Sequence, residues 1–499
     1  MTGRAPTGHC EEPTVKTNIR RCAVKKMAKT AMQRGRVERP QKKGCLLKPS
    51  ALWFLAAFGC NSTPVVPMDL LRGMSPLPAQ IPSSPTNMHA DDPRAAALGQ
   101  RFFFDKAISG PLGVVGASNG LGNVGDTGKV SCNSCHDAKA WFVDTRSSPN
   151  NISAGAAGYL PHNAPTLVNS FFRQWFNTDG FRDSQWMAGA TAFETPKSEN
   201  SSRCTLAHRI YNAYRDDYDA IFTPKLDPAL DPTAPDAAHF PSYCKPKKLP
   251  TDPNSAWEMM QPADQLIVNT IVANYGKTLE AYLRRLVSRD SPFDRFVGGD
   301  ANAISAKAQR GAELFIGKAG CSRCHPGPMF TDDLFHNLGV PQTGPNVPAL
   351  DFGRYGAIPT LLNNAFNTAG AFSDDRAFGM AKLGGLVPGA ADVGAFRTPS
   401  LRHVAETAPY MHNGVFPTLE SVIDFLDAGG GMVIAPAPSP DGGAGGADGS
   451  ASGSPVPVKD SRLAPLGLTA EEKAALVEFL KTLSGHPIPA ELTTDTSAP

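Results

Sequence analysis

Apolar side chains recur at helical spacing in four segments of the chain. The longest covers residues 262–287, and its apolar positions share or flank one face: Leu266, Ile267, Ile271, Tyr275, Leu279, Leu283 and Leu286. Shorter amphipathic segments begin at Asp92-Pro93, with proline in the favourable first turn, and at Ser305. The fourth begins at Thr469, and Glu472 three residues later completes a capping box. Strand-like alternation is scarce, so the pattern predicts an all-α protein with long loops.

Two pentapeptides carry the clearest chemistry. Cys132 and Cys135 precede His136, and Cys321 and Cys324 precede His325, each with two residues between the thiols. This spacing lets both sulfurs attach to one porphyrin while the histidine binds the iron as its proximal ligand. A zinc site would need four ligands close together, but the two pairs lie about 190 residues apart. The pattern predicts two covalently bound haem c groups, with His136 and His325 as proximal iron ligands.

The surroundings of the two haem motifs repeat in the same order. An amphipathic helix precedes each motif, a turn of proline, hydroxyl residue and leucine follows it, and a second amphipathic helix closes the unit. The turns are residues 164–167 and 398–401. We therefore expect two cytochrome c-like haem domains related by duplication, residues 91–290 and 291–490. The second contains a Gly/Ser/Pro-rich insertion, residues 430–457.

The N-terminus has the features of an export signal. Residues 1–60 contain 13 Lys/Arg and 3 Asp/Glu, and a short apolar run at 51–58 precedes Gly59-Cys60. Cys60 stands where a bacterial lipoprotein would be lipidated, and a Pro/Ser-rich tether is expected over 61–90. These features predict a periplasmic protein, either free or anchored at the cell envelope through Cys60.

Charge and the remaining cysteines narrow the function. Of the 48 Lys/Arg and 46 Asp/Glu in the chain, the part after residue 60 keeps an acidic excess, which argues against nucleic-acid binding. Cys204 and Cys244 are the cysteines outside the haem motifs in this part. In an oxidising compartment they can form a disulfide, but spacing alone leaves two unpaired thiols as an alternative.

From about residue 90 to residue 487 the chain resembles the bacterial di-haem cytochrome c peroxidases and their MauG-type relatives. The resemblance rests on the haem motifs and on four further segments: 291–300, 335–340, 396–402 and 407–414. It implies that the N-terminal haem meets peroxide and that the C-terminal haem receives electrons from a small redox protein, a cytochrome c or a cupredoxin. It also implies a calcium ion held by the Asn163 side chain and the carbonyls of Thr407 and Pro409, although these turns could simply connect helices.

The resemblance leaves the catalytic residues less certain. The loop 150–160 has no histidine where activatable peroxidases carry a switching ligand, which implies a first haem open at rest. His162 is the nearest histidine and could instead bind a propionate or the iron. Ser198 aligns with the catalytic glutamate of the family, so Glu199 is the expected general acid/base, ahead of Glu194. Glu199 could also be an ordinary loop carboxylate.

Two further positions depart from the family. Thr178 stands where a tryptophan lies between the haems, and Trp175 or Trp186 could replace it, although core packing is the alternative for both. Trp141 is expected to pack on the first haem. Leu426 aligns with the distal Met or Tyr of the second haem, and leucine cannot bind iron. The distal position could be vacant, bind water, or recruit Met411.

Together these observations predict a periplasmic di-haem oxidoreductase that reduces H2O2 with electrons from a small donor. Two alternatives stay open: a di-haem electron carrier without peroxidase activity, and a MauG-like oxidant of a protein or organic substrate.

Overall fold

The fold was determined as a computed structural model that describes residues 71, 73–74, 76–146, 152–433 and 456–498. The proposed signal, Cys60 and most of the expected 430–457 insertion lie outside these residues. The described part is mostly helical, as expected. Its helices, numbered in chain order, are α1 Pro93–Phe104, α2 Val114–Ser118, α3 Cys132–Cys135, α4 Gln185–Ala192, α5 Arg203–Asp219, α6 Ala256–Met259, α7 Pro262–Leu283, α8 Pro292–Val297, α9 Ala306–Ile316, α10 Arg354–Leu362, α11 Arg376–Leu383, α12 Leu419–Asp427 and α13 Ala470–Lys481.

The N-terminal half, residues 91–290, is organised by the packing of α1 and α4 on α7. Asp92 caps α1 by accepting a hydrogen bond from Arg94 N, and Pro93 occupies the first turn as predicted. Gly99 allows the close crossing, because a Cβ there would lie 1.9 Å from the carbonyl oxygen of Thr278. The buried face of this crossing places the aromatic rings of Phe102 and Phe103 in the core.

The C-terminal half, residues 291–490, uses the same device. Helix α9 crosses α13 at Gly311, where a Cβ would lie 2.0 Å from the carbonyl oxygen of Ala475. The Thr469 side chain caps α13, and Glu472 bonds back to the Thr469 backbone, so the predicted capping box is present. Each half therefore brackets its haem motif with one tight helix pair.

Buried apolar side chains form two large clusters, and the first also includes Leu361, Phe366 and Leu383 from beyond residue 290. The first is centred on α1, α4, α5 and α7, and the second on α8, α9 and α13. The two short strands, β1 Phe335–His336 and β2 Phe396–Arg397, pair antiparallel and connect the loops after the second haem motif. Their register places Phe335 opposite Arg397.

The expected tether differs from the structure over its described part. Leu77 and Asn87 are buried, and the Asn87 side chain donates to the carbonyl of Lys277 on α7. Arg284 donates to the carbonyl of Pro82, and Arg289 to that of Leu77. Because this segment has few helical or strand hydrogen bonds of its own, arginine side chains satisfy its carbonyls and hold it on the N-terminal half.

The C-terminal tail also crosses the expected domain boundary at residue 490. Gln100 of α1 donates to the carbonyls of Glu491 and Thr494, and the Tyr282 hydroxyl of α7 donates to the carbonyl of Leu492. The last turns of the chain thus pack on the N-terminal half rather than on the half that precedes them.

Candidate functional site

The first haem motif forms a short helix that fixes its histidine. At the start of α3, the Ser134 hydroxyl accepts a hydrogen bond from Ser131 N at 3.0 Å. Nδ1 of His136 lies 3.1 Å from the carbonyl oxygen of Phe142 and donates to it. Burial lowers the pKa of His136, so the ring is neutral and its Nε2 lone pair is available to a metal.

The second motif reaches the same arrangement from a different local conformation. Residues Cys321–Arg323 form a 3-10 turn, and Nδ1 of His325 donates to the carbonyl of Phe330 at 2.8 Å. Burial lowers the pKa of His325 as well. Both histidines therefore present a neutral, oriented Nε2, which is what a proximal haem ligand requires.

The Pro-hydroxyl-Leu turns support these histidine loops in parallel ways. Thr166 Oγ1 donates to the carbonyl of Trp141 at 2.5 Å, one residue before Phe142. Ser400 Oγ donates to the carbonyl of Met329 at 2.6 Å, one residue before Phe330. The hydroxyl that the sequence pattern singled out thus holds the loop whose next carbonyl accepts from the proximal histidine.

A cavity of about 580 Å³ opens beside His325. Its walls come from both halves, and its lining includes Asn163, Thr166, Arg173, Thr178, Cys324, His325, Gln342, Arg397, Thr407, Pro409, Met411, His412 and Met432. Met411, which the sequence offered as one possible distal ligand, lines this cavity. Within the described part of the chain, Leu426 does not line this cavity.

Two buried arginines in this cavity have unsatisfied groups. Nε of Arg173 and Nε of Arg397 are buried and have no hydrogen-bond partner among the described residues. Burial, with the positive charge of Arg397, lowers the pKa of Arg173 to about 9. Asp333 forms an ion pair with Arg397 at 3.0 Å and offsets part of this positive charge, but it leaves both Nε groups unpaired. The carboxylate of a haem propionate would accept hydrogen bonds from these Nε groups, so the buried donors of the cavity suit a bound haem.

The first motif also carries an arginine with free nitrogens. Arg146 NH2 donates to the carbonyl of Ala154 at 2.9 Å and lies 3.3 Å from Cys135 Sγ. Its Nε and NH1 are buried without a partner in the described residues. They could meet the propionates of a haem attached at Cys135.

The residues expected to hold calcium lie together. Asn163 N donates to the carbonyl of His412, and Asn163 Nδ2 lies 3.2 Å from the carbonyl oxygen of Pro409. The carboxamide oxygen of Asn163 is buried and has no partner in the described residues. Thr407 and Pro409 line the same cavity. An orphaned oxygen beside backbone carbonyls is a donor set that suits a hard cation.

The two candidate acids, Glu199 and Glu194, have different environments in the structure. Glu199 is 2% exposed, and its Oε1 lies 3.5 Å from Cys132 Sγ. Burial raises the pKa of Glu199 to about 8. Glu194 instead forms a two-point ion pair with Arg203, with both distances 3.1 Å. Glu199 is thus a protonated, neutral acid beside the first haem motif at neutral pH, whereas the Glu194 carboxylate is paired with Arg203.

Backbone hydrogen bonds hold Glu199 against the histidine-free loop. Ala156 N donates to the carbonyl of Ser198 at 2.6 Å, and Gly110 N donates to that of Glu199 at 3.0 Å. Gly155 allows this contact, because a Cβ there would lie 2.1 Å from the carbonyl oxygen of Lys197. The loop expected to leave the first haem open is therefore pinned to the segment that carries the acid.

His162 has a partner that sequence reasoning missed. Its Nε2 donates to Asp351 at 2.8 Å, across 189 residues of sequence. Burial lowers the pKa of His162, but the hydrogen bond to Asp351 and the charge of Asp179 outweigh it, and the net shift is upward. His162 is engaged in this buried ion pair, and no local sequence signal identified Asp351.

The tryptophans occupy distinct environments. Thr178 stands where the family has a tryptophan, and it lines the cavity. Its Oγ1 is buried and has no hydrogen-bond partner among the described residues. Trp175 lies under the guanidinium of Arg354, 4.3 Å from its ring centre. Trp186 is fully buried, and its indole donates to Thr86. Trp141 stacks on His403, a residue that sequence reasoning did not single out.

Cys204 and Cys244 are joined by a disulfide, with their Cα atoms 5.1 Å apart. The four haem-motif cysteines are not in disulfides. Among the described residues, no helix combines the length and apolar character needed to cross a bilayer.

Comparison with known proteins agrees with this geometry. Residues 93–302 match the family model of the di-haem cytochrome c peroxidases. The cytochrome-c peroxidase IdrP2 of Denitromonas iodatirespirans is 31% identical over 398 residues, which cover 78% of this chain and 82% of that protein. The methylamine utilization protein MauG of Methylorubrum extorquens is 26% identical over 397 residues, 79% of each chain.

Solved structures share the fold. A MauG-like protein associated with microbial copper homeostasis has a TM-score of 0.51 and 25% identity, covering 84% of this chain and 98% of its own. The diheme peroxidase BthA of Burkholderia thailandensis, at 21% identity, has a TM-score of 0.51 and covers 82% of this chain and 91% of its own. With both haem motifs, the paired histidine loops and these relatives, the chain belongs to the di-haem cytochrome c peroxidase family.

Proposed function

We propose that the protein reduces H2O2 to water at the N-terminal haem site, with electrons that a small redox protein delivers at the C-terminal site. Family membership supports a peroxidase-type oxidoreductase with two haems c. The observation that carries the finer proposal is the buried carboxyl of Glu199 beside Cys132. A buried acid that keeps its proton is what cleavage of a peroxide bond needs, whereas Asp332, the carboxyl beside Cys324, is paired with His336.

The residues that would hold the two haems are those of the motifs. Cys132 and Cys135 would attach the first haem, and His136 would bind its iron. Cys321, Cys324 and His325 would do the same for the second. Haem iron supplies the redox chemistry that the side chains lack.

Glu199 performs the proton chemistry in this proposal. With a pKa near 8, its carboxyl holds a proton at neutral pH and can donate it to an oxygen that leaves with negative charge. The carboxylate formed can then accept a proton from the next peroxide. The hydrogen bonds from Gly110 and Ala156 keep this segment in place throughout.

The distal side of the second haem is proposed to lack residue 426 as a ligand. Met411 lines the cavity beside His325, and so does Met432, whereas Leu426 does not. Near-infrared magnetic circular dichroism of the ferric protein tests this. A methionine-to-iron band that Met411→Ala abolishes and Met432→Leu leaves intact would identify Met411. If the band is absent in wild type and appears in Leu426→Met, the position is free of methionine, and Leu426 faces the haem.

We infer that the two haem domains, 91–290 and 291–490, arose by duplication. The parallel hydrogen bonds of Thr166 and Ser400 and the paired glycine crossings at Gly99 and Gly311 support this. The same contacts in the same order are difficult to explain by packing alone.

Calcium at Asn163, Thr407 and Pro409 is part of the proposal. It is supported by the unpaired carboxamide oxygen of Asn163. Isothermal titration of the chelator-treated holoprotein with Ca²⁺ should show one site that Asn163→Ala removes. An unchanged titration in that variant would disprove the assignment.

A periplasmic location is proposed from the basic N-terminus and its apolar run. The Cys204–Cys244 disulfide supports it, because disulfides persist in oxidising compartments. Labelling with a radioactive fatty acid separates a free protein from one anchored through Cys60, and Cys60→Ser should abolish any label.

Turnover tests the function as a whole. The purified holoprotein is mixed with H2O2 and a reduced small cytochrome c or cupredoxin, and donor oxidation is followed. We expect turnover without prior reduction of the protein. Electron exchange with the donor but no peroxide consumption would favour the electron carrier. Peroxide-dependent covalent change in a partner protein would favour the MauG-like oxidant.

A further inference from the structure

Asn169 and His403 occupy equivalent places in the two halves. Each lies four residues after the proline of its Pro-hydroxyl-Leu turn. Each has a left-handed backbone, with φ values of 56° and 63°, and begins a 3-10 turn. Their backbone N–H groups donate to matching carbonyls, Asn169 to Leu286 and His403 to Leu483.

Their side chains also perform the same task. Asn169 Oδ1 accepts from Ser288 N at 3.1 Å, and His403 Nδ1 accepts from Gly485 N at 3.3 Å. In both halves the amide that donates to the side chain lies two residues after the carbonyl that accepts from the backbone N–H, so the geometry is repeated. An asparagine is therefore sufficient to satisfy this turn, and the capping role does not require an imidazole.

What His403 adds is an aromatic ring at the junction. The ring is 1% exposed and stacks on the indole of Trp141, with centroids 4.7 Å apart and planes at 23°. Its Nε2 lies 3.3 Å from Nδ2 of Asn169. Burial, with the charge of Arg402, lowers the pKa of His403 to about 3, so the ring stays neutral near physiological pH.

The stack joins the two loops that hold the proximal histidines. Trp141 directly precedes Phe142, whose carbonyl accepts from His136. His403 ends the turn in which Ser400 and Arg402 donate to the carbonyls of Met329 and Pro328, in the loop that follows His325. The two rings thus form a direct aromatic contact between the two histidine loops.

We propose that the stacked Trp141 and His403 rings provide the electronic coupling between the two haem sites. This rests on the proposed function, since it requires a haem at each motif. Thr178 has no π system, whereas the Trp141 and His403 rings are in stacked contact between the two histidine loops. In each transfer the C-terminal site is oxidised by one electron and the N-terminal site is reduced by one. No proton moves on the neutral imidazole. Two such transfers, with two protons, convert one H2O2 into two waters.

Three variants separate coupling from structure. His403→Asn restores the residue of the other half, so it keeps the cap and removes the ring. His403→Phe keeps a ring and removes the cap. Trp141→Leu removes the other ring. The holoprotein is reduced by a light pulse with less than one electron per molecule and no peroxide, and redistribution between the haems is followed by absorbance.

We expect His403→Asn and Trp141→Leu to lose most of the redistribution rate, with unchanged haem spectra and midpoint potentials. His403→Phe should retain the rate but melt at a lower temperature than His403→Asn. Trp175→Leu is the control matched to Trp141→Leu and should leave the rate unchanged.

A wild-type rate in His403→Asn would overturn the inference, and so would a loss of rate confined to Trp175→Leu. A slower rate accompanied by altered spectra in both ring-removing variants would also overturn it, in favour of a positioning role. Because the readout needs no peroxide, fast redistribution in a wild type without turnover would disprove the proposed function and leave the coupling intact.

Discussion

The two haem motifs are supported by similar histidine loops and both have buried arginines nearby, but they differ in the carboxyl group beside them. Beside Cys132 the chain buries an acid, Glu199, whose pKa is raised to about 8. Beside Cys324, burial raises the pKa of Asp332, but hydrogen bonds from the Leu334 backbone and from His336 outweigh it and hold this pKa below its usual range. The cavity there contains Arg173 and Arg397. An acid serves bond cleavage, while cations stabilise bound carboxylates. The comparison teaches that local electrostatics, rather than the fold, distinguishes the two sites.

The largest expected effect comes from removing the acid that distinguishes the first haem motif, Glu199. Glu199→Gln should lower the rate of peroxide turnover by about 10²–10⁴, because a positioned proton donor is removed. Stopped-flow turnover with both haem spectra recorded measures it. Glu194→Gln is the matched control, since that carboxylate is paired with Arg203, and it should change the rate far less. A change below threefold in Glu199→Gln would remove the acid role from this residue.

The same acid should make stability depend on pH. The pKa of Glu199 rises from 4.5 to about 8 on folding, so the folded state retains a proton that the unfolded state releases. The contribution is fully present below pH 4.5 and is lost as the pH rises through 8, with a slope of up to about 1.4 kcal/mol per unit. Thermal unfolding of wild type and Glu199→Gln from pH 5 to 9 should show curves that diverge across this window. Parallel curves would mean that the carboxyl is already ionised at pH 5.

A smaller effect tests the disulfide, which joins Cys204 and Cys244 in the N-terminal half. The bond closes a 40-residue separation, and its removal in the double Cys→Ala variant should cost about 2–4 kcal/mol. Denaturant unfolding measures the loss. The absorbance of the His325 haem should change last, because that motif lies in the other half. Equal and simultaneous loss at both haems would show that the halves unfold together.

The smallest effect sharpens the similarity of the halves. Gly99→Ala and Gly311→Ala each place a methyl group against a carbonyl of the partner helix, and each should cost about 1–3 kcal/mol. Gly356→Ala in α10 is the control, because its Cβ would meet only Phe352 Cβ at 3.4 Å. Helix propensity should make that variant neutral or slightly more stable. A neutral result at Gly311 alone would show that the second crossing is looser than the first.

The amino-acid sequence determined the local features of this protein. The predicted helices begin within one residue of α1, α9 and α13, because caps, proline placement and apolar periodicity act within a few residues. The haem motifs needed no tertiary information, since two thiols and a histidine at fixed spacing already define the attachment geometry. The longest helix was expected to end at 287 but ends at Leu283, where no glycine or proline marks the stop.

Only the tertiary structure decided which distant groups meet. A contact with Cys132, 67 residues away in the sequence, distinguishes Glu199 from Glu194 as the candidate acid. His162 pairs with Asp351, which is 189 residues away. The local sequence pattern likewise predicted neither the packing of segment 76–90 nor the stacking of Trp141 on His403. Such pairings depend on close packing between elements that are far apart in the chain, where a shift of one side chain changes the partner. A sequence pattern records the chemistry each residue can offer, and the folded core selects which of these groups are brought within bonding distance.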